Sequence, residues 1–312
     1  MNYYMHESGK LWQTEIPTDT HLVCALGCFD GVHEGHRQVL RAGIDAAARL
    51  NCQTAVLTFD KPVRAFFSPE SVSLLSSNEE KMRILEELGI SVCISLPLSK
   101  EVLSIDAKAF IEEIVIKKLR AAHVSCGYNY TFGKGAAGNA SLLESLCAKH
   151  GIGVSVVPEY RIDGLTVSSS EIRALISNGD MKRASALLGY RYSISSVVVN
   201  GQHLARKLGF PTVNVLPDKD VLLPKSGVYL TRTSFDGKSY FGITNVGVRP
   251  TVDVGLLCAE THIFDFDGDV YGKRITTEFI EFIRPEKKFS SVESMAAQVR
   301  TDIETAKRIL QL

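Results

Sequence analysis

The sequence is short of the features that betray a macromolecular partner or a membrane. It has no charge excess: 35 Lys+Arg against 35 Asp+Glu leave a formal net charge of 0 over 312 residues. A chain that lives on nucleic acid usually carries a basic surplus or stripe. Neither that surplus nor a long Lys/Arg run is present, so no nucleic-acid partner is expected. No apolar run approaches the roughly 18 uninterrupted residues of a membrane-spanning helix, so no membrane partner is expected either. The opening residues, Met1-Asn2-Tyr3-Tyr4-Met5-His6-Glu7, lack the basic segment and apolar core of a secretory signal. Cysteine pairing is missing too. The seven cysteines are odd in number and scattered among apolar neighbours, as in Val23-Cys24-Ala25 and Val92-Cys93-Ile94. That pattern suits reduced core thiols and a cytoplasmic protein. Cys24 and Cys28 lie four apart, but neither spacing nor context suggests zinc. There is no internal repeat and no low-complexity stretch. At 45% hydrophobic and 22% charged residues, wholesale disorder is excluded.

What is present divides in two, as about 150 residues per domain predicts. The first half alternates strand-like runs (21–26, 55–59, 92–96, 123–126, 154–157) with helical patterns (36–50, 77–88, 106–119, 140–149). Such alternation implies parallel strands with crossover helices, a Rossmann-like α/β sheet. Two short helical segments follow, 170–177 and 181–188. The character changes near Gly189. Residues 192–283 read as short strands, with Asp236-Gly237 and Asp267-Gly268 as two-residue hairpin candidates. They suggest a compact antiparallel barrel, closed by a helix over 291–310 capped by Ser290 or Ser291. The boundary is placed between 186 and 187, giving domains 1–186 and 187–312.

The first chemical signal is Gly27-Cys28-Phe29-Asp30-Gly31-Val32-His33-Glu34-Gly35-His36, at a strand-to-helix junction. Its glycines let the backbone approach a ligand. The helix N-terminus offers N–H groups to phosphate, and the imidazoles add donors for oxygens that gain charge in a phosphoryl transition state. An isolated His-x-Gly-His would as readily be a turn; the full string is far more specific. A second signal is Val167-Ser168-Ser169-Ser170-Glu171-Ile172-Arg173. One serine is explained by helix capping, but the hydroxyl-rich turn with an Arg also suits ATP phosphates. A third is Gly127-Tyr128-Asn129-Tyr130-Thr131-Phe132-Gly133, after a strand.

In the second half, Thr212 and Asn214 in Gly209-Phe210-Pro211-Thr212-Val213-Asn214 point to one side of an extended segment. Both offer oxygens that suit Mg²⁺ and phosphate, although a bare Pro-Thr-x-Asn is most often only a turn. In Glu260-Thr261-His262-Ile263-Phe264-Asp265-Phe266, alternation puts Glu260, His262, Phe264 and Phe266 on one face, which the aromatics mark as inward. An inward carboxylate needs a partner or a job. Burial would raise its pKa toward the range of a general base; the competing reading is a structural Glu paired with an Arg.

These strings together resemble one family. The first resembles the HxGH signature of nucleotidyltransferases in the form used by bacterial FAD synthetases. The second resembles that family's Ser-Ser-Thr-x-x-Arg, and the third its nucleotide loop. Gly201 to Asn214 is similar to the ATP-binding loop of riboflavin kinases, with Ala205 where a Gly is usual. Glu260-Thr261-His262 resembles their Glu-x-His segment. Further strings agree: 245–251, 269–273 and 284–289. The chain therefore resembles the bifunctional bacterial riboflavin kinase/FMN adenylyltransferases over about residues 20–310. The resemblance implies a nucleotidyltransferase α/β domain followed by an antiparallel β-barrel kinase domain with a C-terminal helix. The implied substrates and products are ATP, riboflavin, FMN and FAD, with Mg²⁺.

The resemblance also implies roles. His33 and His36 steady the α-phosphate; Gly27, Phe29, Asp30 and Asn129 border the nucleotide; Ser169, Ser170 and Arg173 hold the outer phosphates. Thr212 and Asn214 hold metal and phosphate, and Glu260 takes the ribityl 5′-hydroxyl proton. One stretch departs from the pattern: Thr58-Phe59-Asp60-Lys61-Pro62-Val63-Arg64 replaces the usual Thr-Phe-x-Pro-His-Pro, which makes Lys61 and Arg64 flavin-side candidates. Competing expectations are an enzyme with one working module, through the change at 61–63 or Ala205, and a non-catalytic flavin- or nucleotide-binding regulator. Oligomeric state is not legible. Neutral net charge leaves room for anionic ligands, since the field they need is local: helix N-termini, Mg²⁺ and side chains such as Arg173.

Overall fold

A computed structural model describes residues 2–5, 21–68, 73–199, 210–216, 218–248 and 257–311. The chain packs as two units, Met1–Val72 with Ser77–Ser169, and Ser73–Ser76 with Ser170–Leu312.

The first unit is built on six parallel strands: β1 (Asn2–Met5), β2 (Leu22–Leu26), β3 (Gln53–Phe59), β4 (Val92–Leu96), β5 (Ala121–Gly127) and, after a small hairpin of β6 (Thr131–Phe132) and β7 (Gly138–Asn139), β8 (Gly153–Val157). Their order is β1-β4-β3-β2-β5-β8. The strands β2 and β4 are buried along their whole length, which is why they read as unbroken apolar runs rather than alternating ones. Helix α1 (Glu34–Leu50) joins β2 to β3. A short α2 (Arg64–Phe67) and α3 (Asn78–Glu87) lead to β4, and α4 (Lys100–Leu103) and α5 (Ala107–Ala109) follow it. α5 runs on as a π-helix, Phe110–Lys118, into β5, and α6 (Ala140–Ala148) joins β7 to β8. The core on one side of the sheet holds Leu22, Leu26, Leu57, Ile94, Ile111, Val115, Leu119 and Leu143. From β2 the chain builds outward through β3 and β4, then returns to place β5 on the other flank of β2. The order therefore reverses between β2 and β5, and the crevice at their carboxyl ends is where such sheets hold ligands. The five expected strands are all present, three of them longer than the apolar run by one to three residues; β1, beside β4, was not anticipated.

After the short strands β9 (Arg161–Ile162) and β10 (Leu165–Thr166), the second unit opens with α7 (Ser169–Asn178) and α8 (Met181–Leu188). A closed barrel follows, with strands β11 (Ser193–Val199), β12 (Thr212–Val215), β13 (Gly227–Phe235), β14 (Lys238–Val248), β15 (Leu257–Ile263) and β16 (Arg274–Arg284). Its order is β11-β12-β15-β14-β13-β16, with antiparallel pairing. The chain ends in α9 (Val292–Leu310), N-capped by Ser291 in a capping box with Ser294. Val228, Leu230 and Ile243 pack outside the barrel against Ala306 of α9. A fully satisfied ion pair clamps this helix. Asp302, 2% exposed, takes Nε and Nη2 of Arg284 and Nε2 of Gln298 at 2.7–3.1 Å.

The barrel interior is unusually polar. Thr231, Thr233, Thr244, Thr261 and Thr277 are fully buried, and the hydroxyls of Thr231, Thr244 and Thr261 link in steps of 2.8 Å. This overturns the inward face read from the sequence. On β15 the inner residues are Ala259, Thr261 and Ile263, so Glu260 and His262 face outward. The alternation stops at Ile263, and Asp265 turns the chain at φ 53°.

Asp236-Gly237 makes the expected hairpin between β13 and β14, both residues at positive φ (48° and 72°), as a type I′ turn requires. Asp267-Gly268 does not. β15 pairs with β12 and β14 and β16 with β11 and β13, so the connection between them is no hairpin. The packing boundary also falls earlier than the change in sequence character, because α7 and α8 group with the barrel. Lys182 of α8 pairs with Glu281 of β16 at 3.0 Å, and the Tyr192 hydroxyl reaches the Leu222 carbonyl.

Candidate functional site

The first unit carries a pocket of about 360 Å³ at the carboxyl ends of its strands, lined by the signature loop, Thr58, Phe59, Leu96, Gly127 to Thr131, Val157, Pro158, Tyr160 and Thr166 to Ser169. The signature loop leaves β2 under constraint: Phe29 and Val32 take positive φ (53° and 36°), conformations that cost energy in residues other than glycine. The Thr58 hydroxyl braces the loop through the Cys28 carbonyl at 2.8 Å. His33 then caps α1, its Nδ1 accepting the His36 amide at 3.1 Å. Nδ1 is therefore unprotonated, and Nε2 is the ring nitrogen that carries hydrogen in the neutral form. The two imidazoles stack at 3.5 Å, 12° from parallel. His36 keeps one side on the pocket, while its Nδ1 is sealed from solvent without a hydrogen-bond partner. Burial first, then the neighbouring His33 and Lys81, hold its pKa well below 6.5, so it stays neutral at pH 7.

Close packing explains the glycines. A Cβ at Gly35 would stand 3.3 Å from the His33 ring and from the Val167 carbonyl. At Gly133, with φ 75°, it would strike the Ala107 backbone at 2.6 Å.

In the second unit, register brings the kinase candidates together. Asn214 lies opposite Glu260, which lies opposite Asn245; Thr212 lies opposite His262. All face outward. His262 Nδ1 donates to the Pro211 carbonyl at 3.0 Å, and its ring meets Phe210 edge-on. Asn214 is 4% exposed, yet its Oδ1 has no hydrogen-bond partner. A buried, unsatisfied oxygen costs about 1–3 kcal/mol, and here it stands in a set with the Thr212 hydroxyl and the half-buried Glu260 carboxylate. Oxygen donors of this kind fit Mg²⁺. No cluster of three or more His, Cys, Asp or Glu that could hold a metal occurs among the described residues, so any such ion would rely on these few oxygens and on its substrate.

Comparison with known proteins decides the family. Residues 15–171 match the FAD synthetase model and residues 188–310 the riboflavin kinase model. The bifunctional riboflavin kinase/FMN adenylyltransferase of Pseudomonas fluorescens is 32% identical, over 94% of each chain. That of Listeria monocytogenes is 33% identical, over 93% of this chain and 92% of its own. The chain belongs to this family. Its fold also matches a crystal structure from Streptococcus pneumoniae named as a macrolide-efflux protein, with a TM-score of 0.89 at 28% identity over 98% and 99% of the two chains. No helix among the described residues is long and apolar enough to cross a membrane.

Within this family member, the pocket gathers His33, His36, Gly27, Phe29, Asn129 and Ser169. Asp30 is buried beside it, and its carbonyl accepts the Ser169 hydroxyl at 3.2 Å. Ser170 and Arg173 are not brought in: they group with the second unit, where Arg173 Nε donates to the Ser73 carbonyl at 2.6 Å. Lys61 and Arg64 are exposed and do not line the pocket, because Asp60 turns the chain there by accepting the Lys61 and Leu98 amides. Val63 lines it instead. Ala205 lies outside the described residues. Sequence reasoning missed Lys81, buried on α3 beside Ile84 and Leu85. Its signal was a lysine on the apolar stripe of a helix.

Proposed function

We propose that the chain phosphorylates riboflavin with ATP to give FMN, and transfers AMP from a second ATP to FMN to give FAD and pyrophosphate. The observation that carries this reading is the pair of separate polar sites. The stacked, uncharged-at-His36 histidine pair sits at the switch point of a parallel sheet, and an unsatisfied Asn214 oxygen sits beside Glu260 on a barrel. The domain boundary near 186/187 then separates two catalytic modules in the cytoplasm, where ATP is present and seven free thiols persist.

In adenylyl transfer, an FMN phosphate oxygen attacks the ATP α-phosphorus and pyrophosphate leaves. His33, with hydrogen on Nε2, donates to oxygens that gain charge. Neutral His36 stacks on the His33 ring, and its backbone amide, donating to His33 Nδ1, holds that ring in place. Asn129 and the loop around Gly27 and Phe29 border the nucleotide, and Ser169 ties the loop to the 167–169 turn. Ser170 and Arg173 retain the role of outer-phosphate groups in this proposal. In riboflavin phosphorylation, Glu260 accepts the 5′-hydroxyl proton as the oxygen attacks the γ-phosphorus, the bond from that phosphorus to the β,γ-bridging oxygen breaks, and ADP leaves. Thr212 and Asn214 would hold Mg²⁺, which neutralises phosphate charge when bound. Phosphoryl transfer asks mainly for positioning and charge neutralisation, so this short set suffices.

One observation favours a second reading, a kinase with a slow adenylyl-transfer module: Lys61 and Arg64 stand outside the pocket where the family has Pro-His-Pro. A single assay separates the readings. Purified protein is given riboflavin or FMN with ATP and Mg²⁺, with oxidised and with reduced flavin, and products are separated by chromatography. FMN from riboflavin and FAD from FMN are expected. Absence of FMN under both conditions refutes the kinase assignment, and absence of FAD refutes the adenylyltransferase assignment.

A further inference from the structure

Lys81 is the least accounted-for charge in the first unit. It is 5% exposed, where lysine is almost never found unless paired. Its Nζ donates to one neutral acceptor, the Phe59 carbonyl, at 3.1 Å. No carboxylate among the described residues pairs with it; Glu80 and Glu87 on the same helix are engaged by Arg83. An ammonium taken from water and given only a carbonyl is costly. The group stands at the carboxyl end of β3, whose last residues Thr58 and Phe59 line the pocket together with His36. Its field reaches the His36 ring and the Cys93 thiol, disfavouring positive charge on the first and favouring negative charge on the second. Among the described residues, the pocket is thus backed by the buried Lys81 charge with no buried carboxylate paired to it. The exposed Lys61 and Arg64 do not supply that charge.

Building on the adenylyl-transfer reading, we propose that Lys81 is a positioning residue of that site: it pins the carboxyl end of β3 and sets a fixed positive charge behind the pocket wall that the substrate phosphates complete. The charge acts through space on the phosphates and on the His33–His36 pair; the hydrogen bond to Phe59 holds the wall.

Three variants of the full chain separate charge from scaffold. Lys81→Gln keeps an N–H donor for the Phe59 carbonyl and removes the charge, Lys81→Arg keeps both, and Lys81→Met removes both. The readouts are kcat and KM for FAD formation from FMN and ATP, riboflavin phosphorylation as the internal control, and the NMR titration of His36. Gln and Met are expected to lower kcat/KM for FAD formation at least about tenfold, as loss of an electrostatic stabiliser does. Arg retains most of the rate, phosphorylation is unchanged in all three, and the His36 midpoint rises in Gln. Wild-type adenylylation in Gln alongside loss in Met would mean a purely structural lysine and would overturn the proposal, as would full activity in all three. If the wild-type chain makes no FAD, the adenylyl-transfer reading is what has failed. The His36 titration then decides, and an unmoved midpoint in Gln overturns the charge role.

Discussion

Gly35→Ala places one methyl group where the first site has no room for it, and its effects on stability and activity should part company. The residue lies in the first turn of α1, and the new Cβ would stand 3.3 Å from both the His33 ring and the Val167 carbonyl. Val167 is 7% exposed and its amide is tied to the Tyr160 carbonyl at 2.9 Å, so the ring must give way. The ring in turn is stacked on His36 at 3.5 Å and accepts the His36 amide, so a shift of a few tenths of an ångström carries into both histidines. Alanine in a helix gains about 0.8–1 kcal/mol over glycine. A weakened cap at His33 costs about as much, and the net change in stability should stay within about 1 kcal/mol. Chemistry is less forgiving, since misplacement on the ångström scale costs about 100-fold. FAD formation should therefore fall about 10- to 100-fold, equal to about 1.4–2.7 kcal/mol of barrier, with riboflavin phosphorylation untouched. Urea denaturation and the two product assays on one preparation test this. Adenylylation within about twofold of wild type would refute the claim that the His33 ring position is what Gly35 protects.

The same site predicts a pH effect. Because folding holds the His36 pKa below 6.5, the unfolded chain takes up a proton that the folded chain refuses. Stability from neutral His36 is present above pH 6.5 and is lost as pH falls, by at most about 1.4 kcal/mol per pH unit. Denaturation curves of wild type and His36→Gln should diverge between pH 7 and 5, the variant losing less; parallel curves would contradict the burial argument. In the second unit, Asn214→Leu should remove an unsatisfied oxygen and hold or raise stability, by up to about 1–3 kcal/mol, while abolishing FMN formation. A destabilised variant with an intact kinase reaction would reverse that reading. Arg284→Met strands the buried Asp302 carboxylate and should cost about 3–5 kcal/mol by urea denaturation, largely recovered when Asp302 is also made apolar.

The parallel sheet was legible because strands buried on both faces write themselves as apolar runs, as Leu22–Leu26 and Val92–Leu96 do. The histidine pair was legible because its spacing and its glycine are local. What failed was not local. Asp267-Gly268 carries a turn dipeptide, but its flanking strands have other neighbours in the barrel. Hydropathy assigned Thr261 outward and Glu260 inward; the barrel does the reverse because Thr261 finds a hydroxyl partner inside. Lys61 and Arg64 stand near the site in sequence but not in the pocket lining, whereas Lys81, 22 residues beyond Phe59, returns across the fold to hold the carbonyl of Phe59, which lines the pocket.

The barrel threonines have a consequence beyond filling space. Thr231 also donates to the Gly242 carbonyl at 3.3 Å, and a carbonyl can only accept. That one end fixes the rest: the Thr231 oxygen receives from Thr244, and the Thr244 oxygen receives from Thr261. Three hydroxyls on three strands thus point one way, a polarised wire running across β13, β14 and β15. A slip of one residue on any of these strands would turn its threonine out of the barrel and break the wire. Apolar side chains fix which face turns inward; the one-way wire adds a polar constraint on the same register, and with it on the pairing that sets Asn245 opposite Glu260.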